Sequence, residues 1–187
     1  MLTSREVEVN MKGYHESEWY GEGAVIADKY DDYVQVKYKC NGTGTLYDYP
    51  LFPGINLIFM DFNCSDIFHE PIPNKNIIEI RHYQKGRVEF ELRNNKVFHM
   101  KEGELCIDAL ANVPAAYSFP FGYSVGLSCV IDKDSVDSET QQIFSYYNID
   151  VLNLGRELEI EKKWFLCRTP QRLLHIFDEL YAAKGVE

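Results

Sequence analysis

From Tyr33 onward the chain alternates hydrophobic and polar residues in short runs. The run YVQVKYKC has a period of two, which is typical of a strand with one buried face. Similar runs follow as GINLIFMDF, NIIEIRHYQ, RVEFEL, KVFHM, ELCIDAL, AAYSF and YSVGLSCVI. Glycine, proline and asparagine separate them, and NGTG, KG and RNN are interpreted as turns. About eight short strands joined in this way predict an antiparallel sandwich or barrel.

The pattern changes after Asp132. The segment 134–147 carries an apolar stripe at helical spacing, opened by Asp or Ser caps, with Val136, Ile143, Phe144 and Tyr147 on one side. KKWFLCR predicts one more strand, and a last helix begins with Thr169 as N-cap and Pro170 at the first helical position. We therefore divide the chain into a β-barrel over 1–132, including an N-terminal extension, and a helical segment over 133–187 packed on it.

The last helix has two apolar stripes. One stripe recurs at spacings of three, four and three residues, as in a coiled-coil seam, and comprises Leu173, Ile176, Leu180 and Ala183. The other comprises Leu174, Phe177 and Tyr181. A single helix does not bury both stripes against one small domain, so the first stripe predicts a homodimer interface. The alternative is that the 134–147 helix and the barrel cover both stripes within one chain.

Composition narrows the class of protein. With 187 residues the chain suits one domain, and 29 acidic against 19 basic residues give a net charge of −10, which disfavours nucleic-acid binding by this chain itself. No CxxC pair occurs among its five cysteines, which favours free thiols in a reducing cytoplasm. No apolar leader or membrane-length stretch is present, so we predict a cytoplasmic protein without a membrane partner.

Two histidines, His82 and His99, lie in predicted strands. Alternation puts His82 on one face with Ile78 and Ile80, opposite Glu79, Arg81 and Tyr83, and it puts His99 with Val97. We predict that the first of these faces points inward. The predicted ligand-binding wall is then Phe59, Asp61, Ile80, His82, Phe90 and His99. The alternatives for each histidine are a hydrogen-bonded core residue and a metal ligand.

The strands after Asn76 resemble the cupin superfamily. Glu79 and Gly86 keep the Glu-x6-Gly spacing of its first motif, and Gly103-Glu104 with Pro114 keep parts of its second. The paired histidines of the first motif would fall within EPIPNK, and the third histidine near Phe119, and neither place has a histidine. The resemblance therefore implies a mainly β, cupin-like (jelly-roll) barrel with C-terminal helices and without a bound metal or cofactor.

YPLFPGINLIFMDF, IEIRHYQKGRVEFEL and the final helix pair, over roughly residues 45 to 183, resemble the sensor domains of bacterial AraC-type transcriptional regulators. The resemblance implies a non-enzymatic domain that dimerises and binds a small metabolite such as a sugar. DNA would be contacted only through a C-terminal helix-turn-helix domain absent from this chain. The alternative functions are a cupin-fold metal-dependent enzyme, an isomerase or dioxygenase acting on a small metabolite, and a stand-alone binding protein.

Overall fold

The computed structural model describes residues 20–21, 23–68, 76–92, 96–109, 114, 116–160 and 163–184. The strands are β1 (Ala24–Lys29), β2 (Val34–Tyr38), β3 (Gly42–Phe52), β4 (Ile55–Cys64), β5 (Asp66–Phe68), β6 (Ile77–Glu91), β7 (Val97–Lys101), β8 (Glu104–Ala109), β9 (Ala116–Ser118), β10 (Ser124–Asp132) and β11 (Phe165–Arg168). The helices are α1 (Ser138–Tyr146) and α2 (Gln171–Lys184), with short 3-10 turns at Val151–Asn153 and Arg156–Leu158.

All strand pairs are antiparallel, and the main path of the sheet runs β1-β2-β3-β4-β10-β6-β8-β11. The far half of β6 leaves this path and pairs with β7 and β9, and β9 also pairs with β5. Because β6 belongs to both parts, the sheet curls into a half-barrel. The predicted fold class is confirmed in its architecture, a mainly β, barrel-like antiparallel sheet followed by helices.

Strand β6 corrects the turn predicted at KG, residues 85–86. The two predicted strands on either side of it are one continuous strand of 15 residues. The register against β10 shifts between Val125 and Gly126, which is a β-bulge. Gly86 has a φ of +86°, and a Cβ there would lie 2.4 Å from the Tyr123 carbonyl oxygen, so only glycine fits. These residues therefore bend the strand where a hairpin turn was expected.

The remaining predicted strands are present, including β11, and the structure adds β1, β3 and β5. NGTG was also misassigned as a turn, because β3 already begins at Gly42. Helix α1 is capped as predicted, with the Asp137 side chain accepting a hydrogen bond of 2.7 Å from the Thr140 amide. The predicted cap at Thr169 is not made, because its buried hydroxyl has no hydrogen-bond partner among the described residues.

Hydrophobic residues pack on both faces of the sheet. The concave face encloses an aromatic-rich core that includes Tyr38, Phe62, Tyr83, Phe90 and Met100. The outer face carries Ile55, Ile78 and Ile131, which pack against Val136, Val151 and Ile160 of the C-terminal segment. The helical segment thus covers the back of the sheet, while the boundary at residue 132 stays a prediction.

Candidate functional site

The three strands β4, β10 and β6 display different side chains on their two faces. Arg81 pairs with Ser128 of β10 and with Cys106 of β8, so these three side chains share the concave face. The next residue, His82, pairs with Leu127 and Leu105 and therefore lies on the outer face. Two neighbouring residues of one strand thus serve two different environments.

A buried ionic cluster occupies the concave face around Arg81, which is only 1% exposed. Its Nη2 lies 2.5 Å from Glu79 Oε2, and its Nη1 lies 3.3 Å from Asp108 Oδ2. The Ser128 hydroxyl donates to the other oxygen of the Glu79 carboxylate. Burial of an arginine requires such partners, because an isolated charge in this environment would be strongly destabilising.

Aromatic rings complete the walls around the guanidinium. The Arg81 Cζ atom lies 5.2 Å from the ring centroid of Phe90 and 5.2 Å from that of Trp164. The two rings meet edge to face with centroids 5.3 Å apart, and Tyr117 packs on Phe90 in the same way. Cation–π attraction therefore adds to the ion pairs in holding Arg81.

Two carboxylates facing one guanidinium leave the cluster with an excess of negative charge. Burial alone would lower the pKa of Arg81, but Asp108 and Glu79 raise it well above its ordinary value. Burial raises the pKa of Asp108 to about 6, although Arg81 opposes the shift. Asp108 therefore takes up a proton at a higher pH than an ordinary aspartate does.

Some polar atoms of this region lack hydrogen-bond partners among the described residues. They are Nη1 of Arg81, which is ion-paired with Asp108 but not hydrogen-bonded to it, Oδ1 of Asp108 and Nε1 of Trp164. Buried polar atoms of this kind are uncommon in proteins and need an explanation. Since they comprise two donors and one acceptor, a hydroxyl-bearing molecule without net charge could satisfy them.

Helix α2 lies on the outer face, directly behind this cluster. The Phe177 ring stacks on the His82 ring at 4.1 Å between centroids and 7° between planes. The Tyr181 hydroxyl donates to the His82 carbonyl at 3.0 Å and lies 3.1 Å from His82 Nδ1. Lys184 Nζ lies 4.2 Å from the Tyr47 ring centroid. The stripe Leu174, Phe177 and Tyr181 therefore faces the sheet.

The other stripe of α2 is less covered. Leu173 and Leu180 are half-buried, Ala183 is exposed, and Ile176 is 44% exposed. The described part of the chain therefore does not bury this stripe fully. Its assignment as a dimer interface stays a prediction.

The predicted ligand wall is divided by the structure. Phe59, Asp61, Ile80 and His82 lie on the outer face, since Phe59 and Asp61 pair with Leu127 and Val125, and Leu127 pairs with His82. Phe90 lies in the concave core, and His99 is exposed. The expectation that the His82 face points into the barrel was therefore wrong. The reason is that both faces of β6 are buried, so alternation alone does not say which one is the interior.

The cluster itself was missed by the sequence analysis. Alternation placed Glu79, Arg81 and Tyr83 together, but on a face taken to be the outer one. A signal was available, because a charged Glu-x-Arg pair inside a strand rich in isoleucine often indicates paired charges. Asp108 in ELCIDAL is a second acidic residue amid apolar neighbours. Only the strand order brings it to Arg81.

Among the described residues, no group of three His, Cys, Asp or Glu side chains is arranged to hold a metal ion. Glu79, which keeps the cupin spacing, is bound by Arg81 and Ser128. All five cysteines are free thiols. No helix within the described ranges is both long enough and apolar enough to span a membrane.

No family model and no curated protein matches this chain. Solved structures that match part of this chain include two from transcriptional regulators. The AraC-like transcriptional activator CuxR matches over 65% of this chain and 51% of its own, with 12% identity and a TM-score of 0.40. The cupin_2 domain of an XRE family transcriptional regulator from Enterobacter cloacae matches over 46% of this chain and 94% of its own, with 16% identity and a TM-score of 0.36.

Oxalate decarboxylase of Bacillus subtilis matches over 73% of this chain and 41% of its own, with 14% identity and a TM-score of 0.37. This chain therefore spans about half the length of the activator and less than half that of the decarboxylase. Similarity this low does not carry a function from any of these proteins to this chain.

Proposed function

We propose that this chain is the ligand-sensing and dimerisation domain of an AraC-type transcriptional regulator. The supporting observation is the position of two neighbouring residues on β6. Arg81 enters the buried ionic cluster, and His82 contacts the C-terminal helix. A small molecule bound to Arg81 on the concave face would thus contact the residue next to His82, and His82 contacts the helix that would lead to a DNA-binding domain.

The proposed ligand is a small neutral metabolite with hydroxyl groups, such as a sugar. An anionic ligand would be repelled by Glu79 and Asp108, whereas the hydroxyl groups of a neutral ligand can both donate to Asp108 and accept from Arg81. The rings of Phe90 and Trp164 supply the apolar surface that binding sites commonly use. Binding requires no chemical reaction, and we propose that the sensor acts in the cytoplasm.

Ligand binding would act by shifting a population. Contacts made by the ligand to Arg81 or Asp108 in one arrangement of β6 favour that arrangement. The same arrangement fixes the position of the His82 carbonyl, to which Tyr181 of α2 donates. The orientation of α2 then depends on occupancy of the concave face.

Binding is tested with a thermal-shift series on the purified chain, using neutral monosaccharides and polyols beside sugar acids. We expect at least one neutral compound to raise Tm, by an amount that grows with its concentration. Asp108→Asn keeps the shape of the side chain but changes its hydrogen bonding, so it should weaken the shift. His99→Gln, at an exposed position, is the matched control and should keep it. Equal shifts in Asp108→Asn and wild type would contradict the proposed site.

Dimerisation is tested on the half-covered stripe of α2. The wild type should sediment as a dimer, and the double variant Leu173→Glu, Leu180→Glu as a monomer, because two buried acidic groups facing their copies repel one another. The control Arg172→Glu, Glu179→Arg changes exposed positions of the same helix and should remain dimeric. A wild type that stays monomeric at high micromolar concentration would rule out this interface.

A further inference from the structure

The proton on His82 can be placed from its hydrogen bonds. The Tyr181 hydroxyl has a single proton, and it donates that proton to the His82 carbonyl oxygen at 3.0 Å. When the hydroxyl donates in this way, the contact of 3.1 Å between His82 Nδ1 and the same oxygen takes its hydrogen from Nδ1. The neutral ring then carries its hydrogen on Nδ1 and none on Nε2.

A proton on the second ring nitrogen of His82, Nε2, is unfavourable while α2 is docked. Nε2 is buried without a hydrogen-bond partner among the described residues, and His82 as a whole is 4% exposed. A proton there would create a buried donor without an acceptor and a buried charge, and both are destabilising. Stacking of the charged ring on Phe177 recovers only part of this loss.

Charged and titratable groups near His82 come from several elements. On α2 these are Asp178, Tyr181 and Lys184, and on β4 the group is Asp61, which acts on Lys184. Burial lowers the pKa of His82, and Asp178 opposes this shift. Burial also raises the pKa of Tyr181, although the amides of Leu127 and Gln84 oppose it.

The position of those two amides explains why this contact forms here. Gln84 lies at the bulge where the β6 ladder against β10 is interrupted, and Leu127 is the partner of His82. The Tyr181 hydroxyl thus lies beside the place where the β6–β10 ladder is interrupted. Glycine is required at the neighbouring position 126, since a Cβ there would lie 2.8 Å from the Tyr83 ring and 2.9 Å from the His82 carbonyl oxygen.

We propose that His82 is a proton-controlled latch for the C-terminal helix. Neutral His82 holds α2 on the sheet through Tyr181 and Phe177, and protonation on Nε2 releases the helix. The latch needs no ligand on the concave face and no second copy of the chain, so it is independent of the proposed sensor function.

The pH range of the latch follows from the sign of the shift. The docked helix favours the neutral ring, so the pKa of His82 is lower when α2 is docked than when it is released. Docking is therefore fully favoured above the ordinary value of about 6.5 and weakens as pH falls below it. Between the two pKa values, the released fraction rises by up to about tenfold for each pH unit.

The test is hydrogen–deuterium exchange of the α2 amides in the full chain at pH 7.5 and 5.5, corrected for the intrinsic pH dependence of exchange. In the wild type we expect the opening equilibrium of α2 to rise several-fold to tenfold or more at the lower pH. His82→Asn keeps a donor near the position of Nδ1 and cannot titrate, so its opening should not change with pH. His175→Gln removes an exposed histidine of the same helix and should behave as the wild type.

A direct titration of the His82 ring by NMR covers the case in which His82→Asn loses the docked helix altogether. In the wild type the pKa of His82 should lie below the ordinary value for histidine, and Tyr181→Phe should move it back toward that value. The latch is refuted if α2 opening in the wild type is independent of pH after correction. It is equally refuted if His82→Asn retains the wild-type pH response.

Discussion

The two faces of β6 differ in how their contacts respond to change. On the concave face, Arg81 and Asp108 are almost fully buried, and each charge depends on the others. On the outer face, α2 has no fully buried residue, and its contact with the sheet uses stacked rings and one tyrosine hydroxyl. The concave face is therefore sensitive to the loss of any member, whereas the outer contact can be weakened in small steps.

This difference suits the functions proposed for the two faces. A binding site works best when its charged groups are fixed before the ligand arrives, because no ordering cost is then added to binding. A helix that transmits the bound state must instead have two positions that are close in free energy. Contacts worth about 1 kcal/mol each meet that requirement, while a buried ion pair does not.

The largest expected effect is at Arg81. Replacing it by methionine keeps a long side chain but leaves Glu79 and Asp108 as buried acidic groups without their counter-charge. Removing one partner of a buried ion pair typically lowers the free energy of unfolding by about 3–5 kcal/mol. Urea denaturation followed by fluorescence of Trp164, which lies beside Arg81, measures this loss.

Arg87 provides a matched control for that variant on the same strand. Its Nη2 lies 2.8 Å from Glu89 Oε1, but the two side chains are 37% and 30% exposed, so solvent screens the pair. Arg87→Met should therefore cost less than about 1 kcal/mol. If the Arg81 and Arg87 variants lost similar stability, the concave cluster would not be more sensitive to the loss of a member than an exposed ion pair is.

The sequence predicted the strands and the fold class because alternation and turn residues are local signals. YVQVKYKC and ELCIDAL, for example, correspond to β2 and β8. The bulge in β6 was interpreted as a turn because a Lys-Gly pair is compatible with both. Their distinction depends on the Tyr123 backbone, which approaches Gly86 from a distant part of the chain.

The candidate site was predicted less well, for a physical reason. In most antiparallel sheets one face is polar, and alternation identifies the buried one. Here residues Ile77, Ile78, Arg81, His82 and Tyr83 are all buried, so both faces are covered. The face with Arg81 was assigned to solvent because an arginine without a partner is usually exposed. The partner of Arg81 is Asp108, which is 27 residues away in sequence and reaches Arg81 only through the β6–β8 pairing. Spacing alone does not carry that information.

The smallest expected effect is at Tyr181, and it tests the outer face. Tyr181→Phe keeps the ring beside Phe59 and His82 but removes the hydroxyl that bonds to the His82 carbonyl and ring. Loss of such hydrogen bonds should lower the free energy of unfolding by about 1 kcal/mol. Tyr146→Phe, at a position that is 82% exposed, is the control and should change it by less than about 0.5 kcal/mol. Chemical denaturation at pH 7.5 measures both.

A Tyr181→Phe loss as large as that of Arg81→Met would mean that the helix contact is as fixed as the ionic cluster, and α2 would then be unsuited to a movable role. No loss at all would mean that Phe177 and the other apolar residues of α2 hold the helix without the hydroxyl.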